Sequence, residues 1–260
     1  MHSESTTMEP ETEATKPSRS RRRVEREVRD RWILQAAREL FLEEGWEGFS
    51  IEGIADRMEC SRALVYAHYS SKEEILLALA IESKTKRLKL LEHTLEFEGR
   101  PRERLVAIDL MESYLAEADI PVEMLVTSAR LRAKTSEERQ RILKALELRL
   151  QLVGAGIVRE AVGAGDLKLP PNTSPDQLYF SLWSSVWGAT VIQRSDFPSE
   201  EAGIPDPARS VRRSLLVMLD GFGWRPLSRE WNYRETCRRV RREIFDREEF
   251  QRVLRHSNGQ

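Results

Sequence analysis

The sequence predicts an all-α protein of about ten helices. Three observations carry this. Apolar residues recur every three to four positions through most of the chain, capping signatures of the Ser/Thr-x-x-Glu/Gln kind open several segments, and no run alternates apolar and polar residues as a half-buried strand would. No internal repeat is visible.

Taken in order, residues 1–15 hold four acids and no base, are rich in Ser, Thr and Glu, and lack apolar periodicity. They read as a disordered tail, with its boundary set at residue 20. Residues 16–31 carry eight bases against three acids and lead into a helical pattern. Ile33, Ala36, Ala37, Leu40 and Phe41 form one helix face, and Gly45 stops it, because glycine is free to take φ > 0. Ser50 is a candidate N-cap for a short helix over about 51–58, and Ser61 for another to about Tyr69. Ser71-Lys72-Glu73-Glu74 is a capping box that starts a long helix to about Phe97. Gly99-Arg100-Pro101 breaks the chain before a helix over about 102–118, and Pro121 opens the next. Thr135-Ser136-Glu137-Glu138 is a second capping box, heading a segment that ends near Gly163–Gly165. Ser174-Pro175-Asp176-Gln177 is a third, with a helix to about Arg194, and Asp206-Pro207 caps one to about Leu219. Arg-rich helical residues then run to about Arg255, with Tyr233, Cys237, Val240 and Ile244 as an apolar stripe.

Composition removes several function classes. No stretch approaches the roughly 18–20 apolar residues of a membrane helix. The N-terminus has no apolar signal-peptide core. A cytoplasmic, nucleoid-associated protein without membrane attachment is therefore expected. Cys60 and Cys237 stand alone, and His2, His68, His93 and His256 show no paired-ligand spacing, so neither a metal site nor a cofactor is expected. An enzyme needs a nucleophile–base pair or a metal cluster. The only Cys/His neighbours are Cys60 and His68, so no catalytic residue is assigned and no enzyme expected. Formal net charge is −1. That near-zero total hides an acidic stretch, 32–224, between the basic segments 16–31 and 225–255.

The most specific segment is residues 50–72. Two short helices about three residues apart have the layout of a helix-turn-helix. Ile54, Ala55 and Met58 supply the inner face of the first, small Ala55 allows close approach, and Cys60 fills the turn. Val65 and Tyr69 point the second inward. Arg62, Ala63, Leu64, Tyr66 and His68 are left on its outer side or ends, where a short helix suits a major groove about 12 Å wide.

Over about residues 28–77 the sequence resembles the TetR family of bacterial transcriptional regulators. The resemblance is carried by ILQAARELFLEEGWEGFSIEGIADRMECSRALVYAHYSSKEEIL, with its AA-x-x-LF-x-x-x-G, its IA and its S-x-x-x-x-Y-x-x-[FY]-x-x-K-x-x-[LI] run. It implies a recognition helix that binds palindromic double-stranded DNA operators as a homodimer. By position, Arg62, Ala63 and Leu64 would face base edges and Ser50, Tyr66, His68 and Lys72 would hold phosphates, with Ser61 capping the helix beside them. Arg62 suits a bidentate contact to guanine and Leu64 a thymine methyl. Two residues depart from the pattern: Glu59 stands where the family has Gly in the turn, and Leu64 where it has a small polar residue. The arginines before the first helix, Arg21, Arg22 and Arg23 among them, read either as a solvated run or as an arm on the DNA backbone.

The resemblance divides the chain into a tail (1–20), a DNA-binding head (21–72), a regulatory and dimerisation domain (73–224) and an extension (225–260). It implies a small-molecule inducer held in the regulatory domain. Met111, Tyr114, Met124, Leu125 and Ser128 are the expected lining, joined by Phe180, Trp183 and Trp187 if these tryptophans face a ligand rather than pack. An apolar site with a few polar groups suits a hydrophobic or amphipathic compound. The last two helices would pair with a second copy through Trp187, Val191, Leu215, Met218 and Leu219. Two readings stay open: a repressor released by such a ligand, and a DNA-binding regulator governed by a protein partner, with its pocket filled by side chains.

Overall fold

A computed structural model describes residues 19–115, 119–195 and 197–255. These form twelve α-helices and one π-helical turn, with no strand among them. The expected tail up to residue 18, the end of the expected 102–118 helix and residues 256–260 lie outside the described residues.

The head begins with α1 (Arg19–Gly48), α2 (Ile51–Arg57) and α3 (Arg62–Tyr66). Residues 19–31 of the basic run form the first turns of α1, ahead of Ile33, the helix's first fully buried residue. Gly45 breaks α1 with φ 64 and ψ −167, a conformation closed to most side chains. Ser50 Oγ accepts Gly53 N–H at 3.1 Å and Ser61 Oγ accepts Leu64 N–H at 3.3 Å, so both serines cap as expected. The second of these helices is shorter than its sequence suggests, ending at Tyr66.

Helix α4 (Lys72–Thr94) leaves the head and enters a body of α5 (Pro101–Glu112), α6 (Asp119–Val126), α7 (Ala129–Arg132), α8 (Glu137–Gly163), α9 (Pro175–Gln193) and α10 (Pro207–Gly221). Of the three capping boxes only Ser174/Gln177 closes reciprocally. Ser71 caps Glu74 N–H, but the Glu74 carboxylate turns to Ser136 N–H and Arg139 instead. Ser136 makes no capping bond with its side chain, and its own N–H is held by the Glu74 carboxylate. A tertiary contact between α4 and α8 thus takes the place of the return bond of the Ser71 box.

Two apolar cores result. The head core runs from Ile33 through Ala80 and takes in Val122, Val126, Leu131 and Leu143 from α6, α7 and α8. The body core joins α4, α5, α8, α9 and α10 to the C-terminal extension, which is α11 (Tyr233–Val240), the π turn Arg241–Phe245 and α12 (Glu248–Arg255). Val240 and Ile244 of the expected stripe are buried there, Tyr233 is buried against Arg102, and Cys237 is half-buried. Arg102, fully buried on α5, anchors the extension by donating to the carbonyls of Trp224 and Leu216 and to Ser228 Oγ, with Asp220 at 2.7 Å. Most of the extension's arginines stay at the surface.

Candidate functional site

The turn between α2 and α3 explains how a short exposed helix is held rigidly. Cys60 N–H reaches back to Ala55 O at 3.0 Å, closing the end of α2 in a Schellman-type turn. Glu59 takes the left-handed position with φ 50. Below the turn Ile54, Ala55 and Val65 are buried.

On this frame Ser61, Arg62, Ala63 and Tyr66 are exposed, and Leu64 and Ser50 are half-buried. The Arg62 guanidinium is not idle: it donates to Glu52 Oε1 on α2 at 2.9 Å. The Glu52 backbone N–H, and after it that bond, hold the Glu52 carboxyl below its usual range. Two expected phosphate contacts are placed otherwise. The His68 side chain is only 6% exposed, with Nδ1 2.5 Å from Asp30 Oδ1. The contact with Asp30 of α1 draws it into the seam between that helix and α3. Lys72 Nζ donates to Phe49 O at 3.0 Å and Trp46 O at 3.4 Å and lies 4.1 Å over the Trp46 ring, closing carbonyls left open where α1 breaks. Arg23 is exposed and paired with Glu27. The side chains of Arg21 and Arg22 lie outside the described residues.

The body holds a cavity of about 580 Å³, lined from α4, α5, α6, α8 and α9. Phe180, Trp183 and Trp187 line it. Trp183 and Trp187 stack at 6.2 Å with planes 7° apart, and Phe180 leans on Trp183 at 6.0 Å. The other expected lining residues do not face it. Met111 is fully buried in the body core, Tyr114 packs on Phe245 at 5.0 Å, Leu125 packs against the head core, Ser128 is exposed ahead of α7, and Met124 is half-buried away from the lining.

The cavity's polar residues were not anticipated. Glu123 of α6 accepts from Ser83 Oγ at 2.7 Å and from Lys84 and Arg87 at 3.2 Å, all three on α4. Burial pushes the Glu123 carboxyl up, but Arg87, Lys84 and Ser83 outweigh it and hold the group ionised below its usual range. Glu112, the last residue of α5, has Arg87 Nε at 3.5 Å. There burial prevails, with Glu123 adding to it against Arg87, and the carboxyl is raised. Glu112 also borders a second, more polar cavity of about 260 Å³ with Asp109, Arg194 and Arg212. Burial lifts Asp109 to about 6, opposed by Arg212 and assisted by Glu112. The one sequence signal for this cluster was an acid inside the apolar run Ile120–Val126.

Of the expected dimer residues, Leu215 and Leu219 turn inward and are buried in the chain's own core. Val191 and Trp187 are half-buried and Met218 is exposed. The large apolar residues exposed on α9 and α10 are Phe180, Trp183, Ile192, Val217 and Met218, the first two of which also line the cavity. A Cβ on Gly188 would meet nothing within 4 Å, so no close approach inside the chain uses it.

Comparison with known proteins agrees with this geometry. Residues 33–79 match the family described as bacterial regulatory proteins, tetR family. The fatty acid metabolism regulator protein of Bacillus subtilis is 26% identical over 136 residues, 52% of this chain and 69% of its own length. A TetR/AcrR transcriptional regulator from Thermobifida fusca superimposes with a TM-score of 0.57 at 22% identity, covering 75% of this chain and 98% of that one. A transcriptional regulator from Saccharomonospora viridis in complex with choline gives 0.60 at 20%, covering 75% and 96%. At such identity the two structures establish the fold. No helix among the described residues is long and apolar enough to cross a membrane. The chain therefore carries, in residues 33–79, the DNA-binding head of the tetR family of bacterial transcriptional regulators, on a body with the TetR/AcrR fold.

Proposed function

We propose that the protein is a sequence-specific repressor that binds a palindromic operator as a homodimer and leaves it when a small hydrophobic or amphipathic ligand enters the body cavity. The observation that carries this reading is the open cavity itself: α4, which lines it with Lys84 and Arg87, begins in the head at Lys72. A partner-gated regulator would have that space filled by side chains. Its volume lies within the ordinary range for small-ligand sites, roughly 300–1,000 Å³. The head (21–72) reads DNA through Arg62, Ala63 and Leu64, with Ser50, Ser61 and Tyr66 on the backbone. The body (73–224) binds ligand and the second copy, and the extension (225–260) buttresses the body. The outer faces of α9 and α10, with Ile192, Val217 and Met218, are the proposed dimer surface. A relative concerned with fatty acid metabolism and a neighbour holding choline both suit a ligand with an apolar body and a polar end.

Selection of bound sequences from random duplexes tests the DNA half, and repeating the binding with candidate ligands tests the other. A palindrome released by ligand is the expected result. A palindrome indifferent to every compound would favour a protein partner, and no sequence preference would overturn the proposal.

A further inference from the structure

We infer that the cleft between α1, α4 and α12 binds a small organic phosphate, a phosphate monoester whose dianion bridges Arg31 and Lys89, with Arg252 closing on it from the C-terminal extension. The site is separate from the body cavity, and it stands whether or not that cavity takes a ligand.

The cleft has a volume of about 460 Å³. Arg31 comes from α1, Glu82, Lys86 and Lys89 from α4, and Arg252 from α12. Four cations thus stand against one acid, and that acid is taken: Arg38 donates to Glu82 at 2.8 Å. Arg31 and Lys89 are exposed, and neither side chain makes a hydrogen bond or ion pair among the described residues. The other two cations are already engaged. Lys86 is buried and held within the chain. Arg252 donates to Glu248, one turn back, at 3.1 Å, but both side chains are more than half exposed. A surface pair of this kind stabilises little and gives way to a more highly charged anion. Like charges gathered from three helices repel one another, and a multivalent anion among them turns that repulsion into attraction.

Geometry selects among anions. A carboxylate offers two oxygens in one plane. A phosphate monoester spreads three around a tetrahedron and carries about −1.5 to −2 charge at pH 7, so it can accept from three helices at once. The guanidiniums of Arg31 and Arg252 suit paired phosphate oxygens, and Lys89 supplies a point charge. Thr85 contributes no donor, since its hydroxyl proton goes to Ile81 O at 2.7 Å. The volume falls within the range of small-molecule sites, roughly 300–1,000 Å³, and leaves room for an organic body. Val253 and the methylene stems of the basic residues give that body apolar surface. The phosphates of a duplex carry one charge each and lie on a convex rod, so a recess between three helices of one chain fits a free phosphate ester better. Helix α1 belongs to the head core and α12, through Phe250, to the body core, so a ligand here ties the two together.

Calorimetry on the full chain with glucose 6-phosphate, glucuronate and glucose tests this, because the three differ only at carbon 6, in a phosphate ester, a carboxylate or a hydroxyl. Glucose 6-phosphate is expected to bind about tenfold tighter than glucuronate, and glucose not at all. Arg31→Gln and Lys89→Gln should each weaken the phosphate by about tenfold or more. Both side chains are exposed, so the melting temperature of the unliganded protein should stay as it was. Arg238→Gln, on the extension but outside the cleft, should leave binding unchanged. Equal binding of phosphate and carboxylate, no binding of glucose 6-phosphate, or a phosphate affinity indifferent to Arg31 and Lys89 overturns the inference. If no sugar phosphate binds and Lys89→Gln instead lowers the salt dependence of operator binding, the cleft is a DNA contact and the inference falls.

Discussion

Arg62 enters DNA from an ion pair, and that changes what its substitution should do. Its guanidinium rests on Glu52 at 2.9 Å, with both side chains more than half exposed. To read a base it must leave Glu52 or share itself with it. Arg62→Ala should cost roughly tenfold or more at one base position of each half-site, leaving other positions intact. Glu52→Gln should act in the opposite sense, tightening operator binding, because it removes a competitor for Arg62 and an acid near the phosphates. Binding titrations against single-base operator variants check both, and an even loss across all variants would make Arg62 a phosphate contact. Asp109 gives a residue-scale prediction of another kind. Its carboxyl sits at about 6, above its ordinary 3.8, through burial and Glu112 against Arg212. Between those values the folded protein binds more protons than the unfolded chain, so this group's contribution is full at low pH and is lost as pH rises through about 6. Asp109→Asn should therefore melt higher than the parent at pH 7.5, with the gap narrowing toward pH 5. Melting curves over that range check it, and a gap that widens on acidification refutes it.

The elements show what was legible in the sequence and what was not. Helix starts at Ser50, Ser61, Ser71, Ser174 and Asp206 were readable, because a cap is a local bond between residues three apart. Glu59 departs from the glycine of the family pattern, and the structure keeps the left-handed turn with this residue, at about 1–2 kcal/mol of strain. What stayed hidden is where helices meet. Lys84 and Arg87 sit in the run Lys84–Lys89, which reads as a solvated face until Glu123 arrives from α6. Leu215 and Leu219 were assigned outward, because an amphipathic helix does not say whether its apolar face meets its own core or a second copy. Gly154 is the clearest case. A Cβ there would lie 1.9 Å from Tyr179 Cζ, so α8 and α9 cross by virtue of its hydrogen. Gly154→Ala gains up to about 1 kcal/mol of helix propensity, but the overlap it creates costs typically 1–3 kcal/mol. Since Tyr179 lines the cavity, the ring must shift against that wall. Net destabilisation, with weaker binding of any cavity ligand, is expected from denaturant unfolding and calorimetry. A more stable protein that binds as before would mean that the crossing is loose.

For the whole molecule the question is how a chain of net charge −1 holds a polyanion. The stretch 32–224 is acidic and repels DNA at a distance, so affinity must come from a small area. Two basic segments exist, and the structure separates them. The arginines at 225–255 ride on an extension docked to the body core, where several pair with acids such as Glu235, Glu243 and Glu248. Those of the first segment lie on the opening turns of α1, a helix that continues into the head core. Arg23, Arg26 and Arg29 are exposed there, and His68 bound to Asp30 ties this stretch of α1 to the end of α3. Such a helix holds charge in a fixed direction, which a flexible arm does not, and so loses less entropy on docking. The consequence is measurable through counterion release. Each neutralised phosphate contributes about 0.9 to the slope of log K against log salt on duplex DNA. Replacing Arg23, Arg26 and Arg29 with Gln should reduce that slope by about 2–3 per protomer, weaken all sequences alike and leave the preferred operator unchanged. The same replacement at Arg238, Arg242 and Arg252 should leave the slope as it was. If the slope responds to the second set and not the first, the extension and not α1 carries the backbone contact.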